Sequence, residues 1–129
     1  MATIFTKIIQ GEIPSHKIAE NEKFYAFLDI SPLRKGHTLV IPKQEVDYIF
    51  DLEDQLLAEM MVFAKNVGAK IEKAFPCDRI GVSVIGLEVP HAHIHLIPID
   101  QMDDMNFARP KLDLSHDQLA SVAEKIRKA

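Results

Sequence analysis

The chain has 129 residues, 47% of them apolar and 26% charged, with a formal charge of -4 and a single cysteine. That length and balance describe one ordinary globular domain, 1–129, with a true core. The negative charge excludes a protein that grips a nucleic-acid polymer through its phosphates, and a lone Cys77 excludes a disulfide framework or a cysteine-rich zinc site.

The opening "MATIFTKIIQGEIP" holds no long apolar run, no small-residue cleavage site and an acidic Glu12. Neither a secretory leader nor a membrane span is expected, and the expected location is the reducing cytoplasm. "KIAENEKFYAFLDI" reads as two strands about a turn at Glu20, Asn21 and Glu22, the second covering Phe24 to Asp29. "SPLRKG" punctuates, and "HTLVIP" reads as a buried strand stopped by Pro42. From Asp51 to Ala74 the period changes: Leu56, Met60, Phe63, Ala64, Val67 and Ile71 form the stripe of an amphipathic helix. Asp51, Glu53 and Asp54 suit its positive end, and Gly68 is its weak point. "RIGVSVIG" alternates as a strand, and "VPHAHIHLIPI" follows as another. A last helix begins at Ser115, which forms a capping-box pattern with Gln118 and turns Leu119, Val122, Ala123 and Ile126 inward. With hairpin-length links, this order predicts an α+β domain: an antiparallel sheet of about five strands with a long central helix and a C-terminal helix.

Three of the six histidines sit in the last predicted strand, at positions 91, 93 and 95. Strand side chains alternate faces, so His91, His93 and His95 share one face while Ala92, Ile94 and Leu96 pack on the other. A single zinc ion cannot take all three, since about 13 Å separates the outer pair at a strand's rise and each Zn–N bond is about 2.1 Å. Two of them with His37 remain a possible metal site, and scattered surface histidines remain a further reading. Nucleophilic use accounts for the pattern best. A neutral imidazole offers one nitrogen to phosphorus while the other donates to a fixed acceptor, and its neighbours hold phosphate oxygens.

"HAHIHLIP" resembles the signature of the histidine triad nucleotide-binding family, and "FLDISPLRKGHTLVIPK" and "TIFTKIIQGEIP" resemble blocks of its Hint-like branch. The likeness covers about the first hundred residues and leaves 101–129 as a C-terminal extension outside the matched blocks. The resemblance implies a homodimeric hydrolase or transferase acting on the α-phosphate of purine nucleoside 5'-phosphoramidates or related nucleotides, with no cofactor. By it, His93 is the nucleophile, His95 and His37 bind phosphate oxygens, and His91 supports the strand. Asp29 grips the ribose hydroxyls, and Ile4, Phe5, Ile8, Phe27, Ile30 and Leu39 wall the base. Two other functions stay open: a dinucleoside polyphosphate hydrolase, and a slow or non-catalytic nucleotide-binding protein.

The chain departs from the family pattern at two places. Thr3, Thr6 and Glu45 stand where many bacterial relatives place the Cys, Cys and His of a structural zinc site, so no structural metal is expected. The approach to the triad, "VIGLEVPH", is shorter than usual, with Glu88 in place of a hydroxyl residue and Ser83 as a substitute polar contact. Met60, Met61 and Phe63 cannot all face one core, which points either to apolar surface for a partner subunit or to a crowded two-layer core. The tail "DQMDDMNFARPKLDL" is a candidate to close over the cleft or the partner subunit, and the cation singled out in it, Arg109, has no assigned role.

Overall fold

The structure, a computed structural model, describes residues 2–129. Five strands, β1 (Lys17–Glu20), β2 (Phe24–Leu28), β3 (Thr38–Pro42), β4 (Arg79–Ser83) and β5 (Ile94–Ile99), form one sheet in the order β1-β2-β3-β5-β4. Every neighbouring pair is antiparallel. Three helices complete the fold: α1 (Ile4–Ile9), α2 (Asp54–Ala74) and α3 (His116–Arg127). This is the α+β architecture that the pattern of elements predicts.

Every residue of β2 and β3 is buried, because the sheet is covered on both faces. Period-two alternation then divides the side chains between two cores. Phe24, Ala26 and Leu28 of β2, Val40 of β3 and Ile94 and Leu96 of β5 join α2 and α3 in the larger one. Tyr25, Phe27, Leu39 and Ile41 point the other way and meet Phe5 and Ile8 of α1 in a smaller one. Full burial of a Leu, Ile or Phe side chain contributes on the order of 1.5–3 kcal/mol, so the larger cluster supplies most of the stability. The smaller one floors the functional cleft.

Helix α2 buries Met60, Ala64, Val67, Gly68, Ile71 and Ala74, with Leu56 and Phe63 packed half-buried at the margin. Met61 remains exposed. A Cβ placed on Gly68 would meet Ile80 at 3.7 Å, an ordinary van der Waals contact, so the packing of the helix on β4 leaves room for a methyl group there. The helix starts later than its acidic residues suggest: Asp51 ends a separate 3-10 turn at Ile49–Asp51, and only Asp54 occupies the first helical turn. At α3 the expected capping box forms in both directions between Ser115 and Gln118, and the four expected side chains are buried. Leu119, Val122, Ala123 and Ile126 enter the larger core, which ties residues 116–127 to the sheet.

Two differences from the sequence reading bear on the site. The N-terminal stretch folds as α1, capped by the Thr3 hydroxyl, which accepts from the Thr6 N–H. Strand β5 begins only at Ile94, after His91 and His93. Pro90 has no N–H, the His91 N–H folds back onto the Val89 carbonyl at 2.8 Å, and the Ala92 N–H goes to Val46 at 2.7 Å. The chain therefore reaches the sheet through a bend, yet the alternation of faces persists, with Ala92 and Ile94 in the larger core. No helix among the described residues is long and apolar enough to cross a membrane.

Candidate active site

A cleft of about 560 Å³ opens on the α1 side of the sheet, within the size range of small-ligand sites. Its floor is the smaller core: Phe5, Ile8, Phe27 and Leu39, all buried, with Ile4 and Ile30 exposed at the rim. Asp29, His37, His93 and His95 line the polar end. Of the catalytic, phosphate-binding and base-binding residues that the resemblance implies, His91 alone stays outside the lining; its ring is wholly buried behind His93, 5.8 Å from the Phe5 ring. Ser83 pairs with His95 in the sheet and does not line the cleft. His16 and His116 pack against each other at 4.9 Å, also away from it.

The hydrogen-bond partners assign the tautomer of each imidazole. A backbone N–H can only donate, so the Leu33 N–H makes His37 Nδ1 an acceptor at 3.0 Å and leaves the His37 proton on Nε2. That N–H donates to His95 Nδ1 at 3.0 Å, which puts the His95 proton on its own Nε2. Burial is the main reason both rings resist protonation, His37 being pushed down to about 3 and His95 to about 4. His95 therefore presents a neutral N–H donor.

His93 is set the opposite way. Its Nδ1–H donates to the His91 carbonyl at 2.7 Å, so Nε2 carries a lone pair. Among the described residues no buried side-chain nitrogen or oxygen lacks a partner. The unpaired Nε2 atoms of His93 and His95 are thus the ones that reach the cleft. The two rings lie 5.0 Å apart, and Phe5 packs edge-on to His93 at 5.1 Å, holding it in place.

His91 is itself pinned on both sides. Its Nε2–H donates to the Pro42 carbonyl at 2.8 Å, and its Nδ1 accepts from the Thr3 hydroxyl at 2.9 Å. Glu45 completes the cluster, accepting the Thr6 hydroxyl at 2.6 Å and the Thr3 N–H at 2.8 Å. These hydrogen bonds hold the Glu45 carboxyl below the usual carboxylate range. The three residues expected at the zinc positions of relatives do converge on His91, but as two neutral hydroxyls and one carboxylate. That donor set lacks the thiolates a structural zinc site uses, and its lone pairs are already engaged.

A second place brings potential ligands together: Asp29, His37 and His95 have ligand atoms within 4.8 Å of one another. Coordination through His37 Nε2 would require the proton to move to Nδ1, which already accepts from Leu33. The geometry suits a hydrogen-bonded relay better than an ion. Asp29 divides its work: Oδ1 accepts the Ser31 N–H at 2.8 Å as in an Asx turn, while Oδ2 lies 3.6 Å from His37 Nε2. Burial raises its carboxyl above the ordinary value.

Sequence reasoning missed Phe107 and Lys111, which line the cleft from the C-terminal segment. Arg109, the cation that the sequence reading singled out without a role, pairs with Asp103 and Asp104. Nothing in the local pattern "NFARPKLD" distinguishes the two basic residues, because their directions depend on how the segment crosses the sheet. Residues 85–89 form the opposite wall, Glu88 included.

Residues 10–102 match the family model described as HIT domain. The chain is 36% identical over 131 aligned positions to the adenosine 5'-monophosphoramidase HNT1 of Saccharomyces cerevisiae, taking in 97% of this chain and 80% of that protein. The solved structure of a Hit-like protein from Bartonella henselae superposes with a TM-score of 0.84 at 31% identity, covering 98% of this chain and 95% of the other. A Zn-bound histidine triad family protein from Mycobacterium smegmatis superposes with a TM-score of 0.82 at 25% identity, over 99% and 92%. With its alternate histidines gathered over an apolar cleft and its whole fold shared with these proteins, the chain belongs to the HIT domain family.

Proposed function

We propose that the protein hydrolyses purine nucleoside 5'-phosphoramidates or related nucleotides at the α-phosphate, through a nucleotidyl intermediate on His93. The observation that carries this reading is the His93 Nε2 lone pair, aimed into the cleft with its Nδ1 proton committed to the His91 carbonyl. In the first step Nε2 bonds to phosphorus and the P–N bond breaks, the amine leaving with a proton drawn from solvent at the open mouth. In the second, water attacks phosphorus, the P–Nε2 bond breaks and a proton returns to solvent. The His95 Nε2–H donates to a phosphoryl oxygen throughout and strengthens as charge builds there. His37 acts behind it.

The apolar slot of Ile4, Phe5, Ile8, Phe27, Ile30 and Leu39 takes the base, and the free face of Asp29 accepts from ribose hydroxyls, so ribonucleotides are preferred to deoxyribonucleotides. No cofactor takes part in these steps, and the cluster around His91 works without zinc. Sequence kinship to a named adenosine 5'-monophosphoramidase supports the same substrate class. The protein works as a homodimer: β4 is an outer strand of the sheet with Val82 exposed, and Val84 and Ile85 beyond it are exposed too.

The decisive experiment mixes the protein with adenosine 5'-phosphoramidate and quenches within one turnover. AMP release and a mass gain of one adenylyl group on the peptide holding His93 are expected; turnover with no trapped adduct would reject the covalent route. Faster cleavage of a dinucleoside polyphosphate would move the protein to that class, and tight AMP binding without turnover would make it a binding protein. Metal analysis of the purified protein and equilibrium sedimentation test the remaining two statements.

A further inference from the structure

Resting on the nucleotide reading above, the charge of the cleft raises a separate question. Among the described residues its lining carries two carboxylates, Asp29 and Glu88, and one cation, Lys111. His37 and His95 are buried and neutral near pH 7, so neither offsets a phosphate. Without Lys111 the walls would be purely acidic, and a nucleotide's phosphate would meet repulsion from both sides.

Lys111 sits on a segment, 106–112, that is tied down at each end. At its root the 3-10 turn Met102–Met105 packs onto β4, where a Cβ on Gly81 would lie only 2.6 Å from the Met105 sulfur. A side chain at position 81 would have to push the Met105 thioether aside. Buried Asp104 accepts the N–H groups of Asp100 and Gln101 at 2.8 and 3.1 Å and pairs with both Arg34 and Arg109. At the far end the Leu112 N–H donates to the Pro32 carbonyl at 2.8 Å. Between these anchors Phe107 lies edge-on to the His95 ring at 4.9 Å and reaches His37 at 6.2 Å. The Lys111 ammonium donates to the Phe107 and Arg109 carbonyls, 5.9 Å from the Phe107 ring centroid.

We propose that residues 106–112 form a strap across the phosphate end of the cleft and that Lys111 is its anion-binding group, the residue that makes an otherwise acidic pocket accept a nucleotide phosphate. The ammonium is solvent-exposed and held only by two carbonyls, so it can trade them for phosphate oxygens at little cost. Its field already reaches the site, favouring the charged form of Asp29 and the neutral form of His37. Phe107 keeps the strap against His95, the ring that donates to the same phosphate.

Calorimetric titration of AMP and of adenosine into wild type, Lys111→Gln and Lys111→Arg tests this. A charge-assisted contact of the usual strength predicts that Lys111→Gln weakens AMP about tenfold or more and adenosine hardly at all. Lys111→Arg, which keeps the charge, should stay close to wild type for both ligands. Equal loss for AMP and adenosine would show that the strap merely shapes the cleft, and unchanged AMP affinity in Lys111→Gln would show that it binds no phosphate; either result overturns the proposal alone. A wild-type protein that ignores AMP altogether would overturn the nucleotide reading and this proposal with it.

Discussion

On one side of the cleft a run of hydrogen bonds passes from the Leu33 N–H through His37 to His95; on the other, one passes from the Thr3 hydroxyl to His91, whose carbonyl holds His93. Both begin at fixed protein donors, and both end at an imidazole Nε2 facing the same space. The first run enters His95 by donating to its Nδ1, so the exposed nitrogen keeps the proton. The second accepts from His93 Nδ1, so the exposed nitrogen keeps the lone pair. Identical side chains in one pocket therefore acquire opposite roles, donor and nucleophile, from what their inner nitrogens touch. The runs also differ in cover: His37 is buried beneath the strap, whereas Glu45, at the outer end of the other run, is exposed.

The comparison breaks most completely at His93. His93→Ala should lower turnover of adenosine 5'-phosphoramidate by about 10⁴-fold or more, as losses of a covalent nucleophile do, with the affinity for AMP nearly kept. Steady-state rates beside a binding isotherm check this.

Acid should weaken the fold through the donor run, whose buried rings refuse protons that the unfolded chain accepts. His37 and His95 are depressed from 6.5 to about 3 and about 4. The unfolded chain takes up protons that the folded chain refuses, so stability is complete above about pH 6.5 and falls as the pH drops from there toward 4. Each group removes up to about 1.4 kcal/mol per pH unit in that window. Urea unfolding at a series of pH values should show the slope, and His37→Phe should reduce it.

His37→Leu sharpens the contrast at a single bond. With its fixed N–H donor gone, His95 is free to adopt the other tautomer and its donor to the phosphate is lost; kcat should fall about 10²-fold with KM less affected. The smallest effect belongs to Thr3→Val, which keeps the shape but leaves His91 Nδ1 without its donor. An unsatisfied buried acceptor costs about 1–3 kcal/mol, read as a lower unfolding midpoint, with only a several-fold loss of rate because the His91 carbonyl still holds His93.

Much of this was legible along the chain. The stripe from Leu56 to Ile71, the capping box at Ser115 and the apolar runs of β2 and β3 are local patterns, and each element followed them. His93, His95, His37, Asp29 and the six apolar positions are legible in the sequence motifs and stand around one cleft. Less legible were the short helix α1, set by a single Thr3 cap, and the bend before Ile94, which depends on Val46 taking the Ala92 N–H from a distant loop.

The sequence by itself determined the strands in outline, the two longer helices with their buried faces and most of the chemically able residues, because period and residue type are written locally. Only the tertiary structure decided which nitrogen of each histidine is free, since that depends on partners such as Leu33, Pro42 and Thr3 brought in from other elements. It alone decided, too, that Lys111 and not Arg109 faces the cleft. Arg109 is drawn to Asp104, whose carboxyl is buried and shared with Arg34 from a distant loop.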